Sequence, residues 1–103
     1  MLLLATVALA QSPDRVAMAR QKSKQLTVYE WKTTPDGKKK WVDHAETYNA
    51  QGQLIKERVY DERNRLSKIR TFEYDANGVC TRRMNYNADG KLNSYRQFEY
   101  VYE

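Results

Sequence analysis

The segment 48–92 repeats one seven-residue pattern: YNAQGQL (48–54), YDERNRL (60–66), YDANGVC (74–80) and YNADGKL (86–92). Tyrosines stand at positions 48, 60, 74, 86 and 100, so their spacing alternates between 12 and 14 residues. A fixed period of this kind is typical of repeated supersecondary units. The alternation indicates that the unit is a β-hairpin of 26 residues, with one shorter and one longer strand.

Each copy of the pattern predicts a tight turn. The Asn or Asp that follows the tyrosine can accept hydrogen bonds from the backbone of a type I turn. The fifth position requires a left-handed backbone, and it holds glycine in three copies and Asn64 in the other. The stretch TPDG (34–37) indicates the same turn upstream. With the same three-residue loop, that turn would place Trp31 opposite Trp41 on one face of a sheet.

The stretches between the turns are rich in Val, Ile, Thr, Tyr and Phe, which predicts strands. We expect six antiparallel strands in sequential order, at about 25–33, 38–48, 53–60, 65–74, 79–86 and 91–102. The predicted cross-strand pairs are Tyr48–Leu54, Tyr60–Leu66, Tyr74–Cys80 and Tyr86–Leu92. The fold class is therefore all-β: an antiparallel up-and-down meander built from hairpin repeats, with a short N-terminal helix or tail.

A chain of 103 residues allows one domain of ordinary size. We divide it into a signal-peptide remnant (1–10), an N-terminal segment of helical composition (11–25) and a β-hairpin repeat domain (26–103). In the middle segment, Asp14 is placed to cap a short helix.

The first ten residues carry no charge and form an apolar run of the length found in signal peptides. The run is too short to cross a bilayer, which takes about 20 residues. Ala8-Leu9-Ala10 resembles a cleavage site and predicts processing before Gln11. No Lys or Arg precedes the run, so we expect the true start to lie upstream of Met1. The alternative is a frayed apolar terminus on a cytosolic protein.

The composition argues against several classes of site. One cysteine, Cys80, excludes a disulfide within the chain, and one histidine, His44, argues against a histidine-based zinc site. Cys80 takes a leucine position of the repeat and is interpreted as a small core residue. His44 is expected to be a surface residue beside Arg58 and without an acidic partner. We therefore expect no catalytic residues, no cofactor and no metal, and the chain is not expected to be an enzyme.

The net charge is +5, which suits an anionic partner or serves only solubility. Strict alternation along the strands would place a row of basic residues between aromatic rows on one face. With one tyrosine they form the candidate ligand face: Lys56, Arg58, Lys68, Arg70, Arg82, Arg96 and Tyr86. Two interpretations of this face remain open. It binds sugars or an anionic polymer, or its long side chains only cover a thin core.

The Tyr-Asp-x-x-Gly-x-Leu unit resembles the tyrosine-aspartate repeats of RHS-type bacterial surface and toxin-delivery proteins, over about half of the chain. Those proteins string many copies into a shell that encloses a toxic domain, and four copies cannot enclose anything. Nearly the whole chain is similar to small secreted proteins of gut anaerobes that have a signal peptide followed by Tyr-rich hairpins, and these supply no catalytic residues. A further resemblance is to repeat-containing antitoxin-like proteins.

These observations predict a non-catalytic exported protein of the bacterial envelope, either structural or a binding module. Its location would be periplasmic, outer-membrane associated or extracellular. The expected partners are another protein, a second copy of the chain or an anionic envelope polymer, and nucleic acid is not expected. The alternative is an RHS-like or antitoxin-type module that binds protein.

Overall fold

The computed structural model describes residues 13–22 and 24–103. The expected signal-peptide remnant (1–10) and the cleavage site before Gln11 lie outside the described residues. A helix, α1, spans Pro13–Lys22, within the segment of helical composition, and Asp14 lies in its first turn. A negative charge in the first turn interacts favourably with the positive end of the helix dipole and stabilises the helix. Among the described residues, no helix is long and apolar enough to cross a membrane.

Six strands follow the helix: β1 (Leu26–Thr33), β2 (Lys40–Tyr48), β3 (Leu54–Tyr60), β4 (Leu66–Tyr74), β5 (Cys80–Asn87) and β6 (Leu92–Gln97). They form one sheet in sequential order, each antiparallel to its neighbours. The predicted all-β up-and-down meander is confirmed. The last strand is shorter than expected, since it ends at Gln97, although the Phe98 amide still donates to the Thr81 carbonyl at 3.0 Å.

The four repeat turns have the predicted geometry. Their left-handed residues are Gly52 (φ 82°), Asn64 (φ 60°), Gly78 (φ 81°) and Gly90 (φ 87°). In the first of these turns the Gly52 amide donates to the Asn49 carbonyl at 2.9 Å. Asn49 Oδ1 also accepts hydrogen bonds from the amides of Gln51 and Gln53, which is how an Asn or Asp stabilises this turn.

All four predicted tyrosine pairs are present: Tyr48–Leu54, Tyr60–Leu66, Tyr74–Cys80 and Tyr86–Leu92. Just beyond each pair the ladder skips one residue. Thr47, for example, pairs with Lys56, so that Ile55 is left over as a β-bulge. The other skipped residues are Ser67, Thr81 and Asn93. Since side chains alternate between faces, one extra residue moves everything after it to the other face.

The sheet therefore has two faces that differ from those predicted by strict alternation. The covered face, against which α1 packs, carries His44, Glu46, Tyr48, Leu54, Glu57, Lys68, Arg70, Phe72, Tyr74, Cys80, Arg83, Asn85, Ser94 and Arg96. The open face has no second layer among the described residues, and it carries Tyr29, Trp31, Ala45, Thr47, Lys56, Arg58, Tyr60, Leu66, Ile69, Glu73, Arg82, Met84, Tyr86 and Tyr95. The buried core lies on the covered face, in Ala19, Tyr48, Leu54, Phe72 and Cys80.

The first hairpin contradicts the prediction that Trp31 faces Trp41. The Thr34 amide donates to the Lys39 carbonyl, so this loop is one residue longer than the repeat loops. Trp31 therefore pairs with Val42, and Lys32 pairs with Trp41. The two indole rings lie on opposite faces of the sheet, each beside a lysine. This error in loop length is confined to the first hairpin, because the four repeat loops have the predicted length.

The 26-residue unit is also visible in side-chain bonds on the covered face. The Tyr74 hydroxyl donates to the Leu54 carbonyl at 2.6 Å, and the Tyr100 hydroxyl donates to the Cys80 carbonyl at 2.7 Å. Both bonds reach back over 20 residues. They tie successive hairpins together at the same end of the sheet.

Two turn residues have a second role. A Cβ atom built on Gly52 would lie 2.7 Å from Arg20 Cγ and 2.8 Å from Val16 Cγ1, so α1 packs directly against this turn. Asn64 replaces the repeat glycine, and its Oδ1 accepts a hydrogen bond from the Val42 amide at 3.0 Å. That bond satisfies a β2 amide beyond the last residue with which β2 and β3 pair.

Candidate functional site

A continuous row of aligned positions crosses the covered face from β1 to β6. Its members, each paired with the next, are Val28, Glu46, Glu57, Arg70, Asn85 and Ser94. We call this set the polar row. Its first half is acidic, because it contains Glu46 and Glu57. Its second half contains Arg70 and is flanked on β4 to β6 by Lys68, Arg83 and Arg96, and we call these four residues, with Asn85 and Ser94, the basic half. The covered face is therefore electrostatically polarised along the sheet.

The acidic half is a network of ion pairs. Glu46 Oε1 accepts hydrogen bonds from the Arg15 guanidinium of α1 and, at 2.9 Å, from the Tyr48 hydroxyl. His44 Nε2 lies 3.3 Å from Glu30 Oε2 and 3.6 Å from Glu46 Oε2. Arg15, whose Nη2 also lies 3.7 Å from Glu30 Oε2, attaches α1 to the sheet by charge, in addition to the apolar packing of the helix against the core.

The environment of His44 differs from the expected one. Its cross-strand partners are Glu30 and Val59, not Arg58. Burial favours the neutral imidazole, but the hydrogen bond with Asp43 and the charges of nearby glutamates outweigh it and raise the pKa of His44. The bulge in β3 explains the error, since it moves Arg58 to the open face.

The pKa of Tyr48 is raised to about 12, first by burial and then by its hydrogen bond to Glu46. Tyr48 therefore stays a neutral hydrogen-bond donor. Burial likewise raises the pKa of the Cys80 thiol, which is 1% exposed. Neither group is poised as a nucleophile or a general base near neutral pH.

Ligand atoms of His44, Glu46 and Glu57 lie within 4.8 Å of one another, a spacing that a metal ion could use. Their hydrogen bonds argue for another role. Arg15 binds Glu46, and Arg70 Nη1 donates to Glu57 Oε1 at 2.7 Å. Each carboxylate thus already has a cationic partner, and the group is best described as an ion-pair network.

The basic half is less well neutralised. Arg83 and Arg96 are direct cross-strand partners, and Arg70 lies on the neighbouring strand. Arg83 Nε is buried and has no hydrogen-bond partner within residues 13–22 and 24–103. Burial and the charges of Arg70 and Arg96 lower the pKa of Arg83.

The open face combines aromatic rings with cations. Arg58 lies 5.9 Å from the ring centroid of Tyr29, and Arg82 lies 5.9 Å from that of Tyr95. Both tyrosines are about half exposed, at 52% and 53%. Trp31, two residues after Tyr29 on β1, lies on the same face, and Lys40 lies 5.0 Å from its ring centroid.

Comparison with known protein families, curated proteins and solved structures finds no match.

The candidate ligand face predicted from the sequence does not exist as one surface. Lys56, Arg58, Arg82 and Tyr86 lie on the open face. Lys68, Arg70 and Arg96 lie on the covered face. The β-bulges separate the two groups, and ligand binding by either group stays a prediction.

The sequence reasoning missed Arg15, Glu30, Glu57 and Arg83 as members of one polar system. A signal for the ion pair between β3 and β4 was available, since a register advanced by one residue brings Glu57 opposite Arg70. The position of Arg15 had no such signal, because it depends on how α1 packs on the turn at Gly52.

Proposed function

We propose that the protein is a non-catalytic, exported module of the bacterial envelope that binds an acidic polysaccharide through its open face. The observation that carries the proposal is the pairing of exposed tyrosines with arginines: Tyr29 with Arg58 and Tyr95 with Arg82. A flat ring offers a stacking surface, and the Arg58 guanidinium offers a charged fork for a carboxylate. Arg82 Nε and Nη2 already donate to Glu73 Oε1 at 3.0 and 2.8 Å, so Arg82 contributes its cation–ring contact with Tyr95 and its charge. Uronic acids present both an apolar ring face and a carboxylate.

The main competing interpretation is that these side chains only cover a thin core. The distribution of burial favours binding, because the core cluster lies on the covered face. Tyr29 and Tyr95 remain half exposed on the side that has no second layer in the described part of the chain. The net charge of +5 favours an anionic ligand.

Export rests on the sequence, on the apolar run 1–10 and the small residues Ala8 and Ala10. Intact mass of the protein recovered outside the cytoplasm should show a mature chain that begins at Gln11. Recovery of the full chain from the cytosol alone would contradict export.

A second candidate is a protein-binding module of the RHS-like or antitoxin type, or self-association. The observation that favours it is β6, an edge strand in which every residue is exposed. An exposed edge can accept a strand from another chain. This candidate predicts binding through β6 backbone groups and little dependence on salt.

The decisive experiment measures binding to alginate, lipopolysaccharide and double-stranded DNA at about 50 and 200 mM salt. The double variant Arg58→Ser/Arg82→Ser should lose alginate binding. The control Arg63→Ser/Lys91→Ser removes the same charge from exposed turn positions and should bind nearly as the parent does. We expect little DNA binding.

Equal losses in the two double variants would mean that only net charge matters, which would contradict a site on the open face. Binding to no polysaccharide, together with a tight complex formed through β6, would favour the second candidate.

A further inference from the structure

Arginine side chains lie next to one another in the basic half of the polar row, and their positive charges repel. Arg83 and Arg96 are direct cross-strand partners on one face, where Cβ atoms are typically about 5 Å apart. Arg70 is diagonal to Arg83 on the next strand. Like charges at such positions destabilise a sheet unless something neutralises them.

The acidic half shows how the fold neutralises charge elsewhere on this face. There α1 brings Arg15 to Glu46, and Arg70 reaches back to Glu57. In the described ranges no carboxylate forms an ion pair with Arg83 or Arg96. The buried Arg83 Nε also lacks an acceptor there, and an unsatisfied buried donor is costly.

Polar groups of the right kind lie beside these arginines. Asn85 and Ser94 are the next pair along the same face of the β5–β6 hairpin. Asn85 Nδ2 donates to Ser94 Oγ at 3.2 Å, which leaves the serine hydroxyl proton free to be donated to a ligand. Arg70 is held in place by its 2.7 Å bond to Glu57.

We propose that Arg70, Arg83 and Arg96, with Ser94, form a binding site for a tetrahedral oxyanion of the phosphate or sulfate class. Such an anion supplies several acceptor oxygens and at least one negative charge in a compact volume. Guanidinium groups bind these oxygens in pairs, which would satisfy Arg83 Nε and offset the repulsion. The site lies on the opposite side of the sheet from the proposed polysaccharide face.

The most direct test follows the arginine Nε–Hε resonances by NMR while inorganic phosphate or sulfate is added. The Arg83 resonance should shift and saturate, whereas that of Arg63, an exposed turn residue, should change only slightly and linearly. A third titration uses glycerol 3-phosphate. If glycerol 3-phosphate binds at least as tightly as inorganic phosphate, the site recognises a phosphate group carried by a larger molecule. If inorganic phosphate binds more tightly, the site recognises the free ion.

Arg96→Gln tests the site without risk to the core, because Arg96 is exposed. We expect it to weaken phosphate binding about tenfold or more, since a hydrogen bond to a charged group is lost. Without phosphate, its unfolding midpoint should equal or exceed that of the parent because a repulsion is removed. Arg63→Gln is the charge-matched control and should leave phosphate affinity nearly unchanged.

The proposal is wrong if the Arg83 resonance follows that of Arg63 with all three ligands. It is also wrong if Arg96→Gln lowers stability but leaves phosphate affinity at the parent value. Loss of alginate binding in the open-face variants should leave the phosphate response intact, so failure of one proposal can be told from failure of the other.

Discussion

Gly52→Ala should destabilise the protein more than the same change at Gly90, although both glycines occupy the same position of the repeat turn. Both have a positive φ, 82° and 87°, at which alanine is strained. A Cβ atom on Gly90 meets nothing within 4 Å. On Gly52 it would lie 2.7 Å from Arg20 Cγ and 2.8 Å from Val16 Cγ1.

The two costs can be separated. The backbone strain of alanine in a left-handed conformation is about 1–2 kcal/mol and applies to both variants. Overpacking adds about 1–3 kcal/mol and applies only at Gly52, since α1 must move to make room. The free energy of unfolding should therefore fall by about 1–2 kcal/mol in Gly90→Ala and by about 2–5 kcal/mol in Gly52→Ala.

Urea denaturation followed by tryptophan fluorescence measures both values. The double variant Gly52→Ala/Val16→Ala removes Val16 Cγ1, so the two changes should couple, and the double variant should lose less stability than the sum of the single changes. Equal losses in Gly52→Ala and Gly90→Ala, with no coupling to Val16, would refute the reasoning that this turn seats α1.

Three other predictions follow from single contacts. Asn64→Gly should speed hydrogen exchange at the Val42 amide while Asn64→Asp keeps it protected, because only the glycine lacks the Oδ1 acceptor; equal exchange in both would contradict this. Because the pKa of His44 is raised in the folded state, its contribution to stability is complete below the unfolded pKa of about 6.5 and is lost as pH rises through the folded value. His44→Gln should therefore flatten the decline of the unfolding midpoint between about pH 6 and pH 8, and an unchanged slope would argue against the ion-pair network. Iodoacetamide should alkylate Cys80 only as the protein unfolds, since the thiol is buried and its pKa is raised; rapid labelling of the native protein would show otherwise.

The tyrosine–turn pattern predicts most of the fold because it encodes local geometry. A left-handed residue at a known position determines where each hairpin turns, and the adjacent Asn or Asp stabilises that turn. Tyr48–Leu54 and the other three tyrosine pairs follow directly from it. The Trp31–Trp41 pairing fails because the first loop holds one more residue, which the shared TPDG turn signal does not reveal.

The β-bulges could not be predicted from the sequence. The skipped residues Ile55, Ser67, Thr81 and Asn93 share no chemical property, so nothing in their side chains marks them. The consequence of the bulges for the site is large, since they place Arg58 and Arg70 on opposite faces of the sheet.

The docking of α1 is a tertiary property for a similar reason. Ala19 is 1% exposed and Val16 packs against the core, but both lie in a short and largely polar helix. Its position depends on the space above Gly52 and on the acidic half of the polar row, and both features exist only in the folded sheet.

The measurement that tests the proposed function most directly is an NMR titration of aromatic ring protons with alginate oligomers. Tyr29 and Tyr95 lie on the open face, and Trp41, which pairs with Lys32 on the covered face, serves as an internal control. We predict that the ring protons of Tyr29 and Tyr95 shift and show intermolecular contacts with the sugar, with an affinity that falls as salt rises, while those of Trp41 do not change. Shifts at Trp41 equal to those at Tyr29 and Tyr95, or no shift at either tyrosine, would contradict the account.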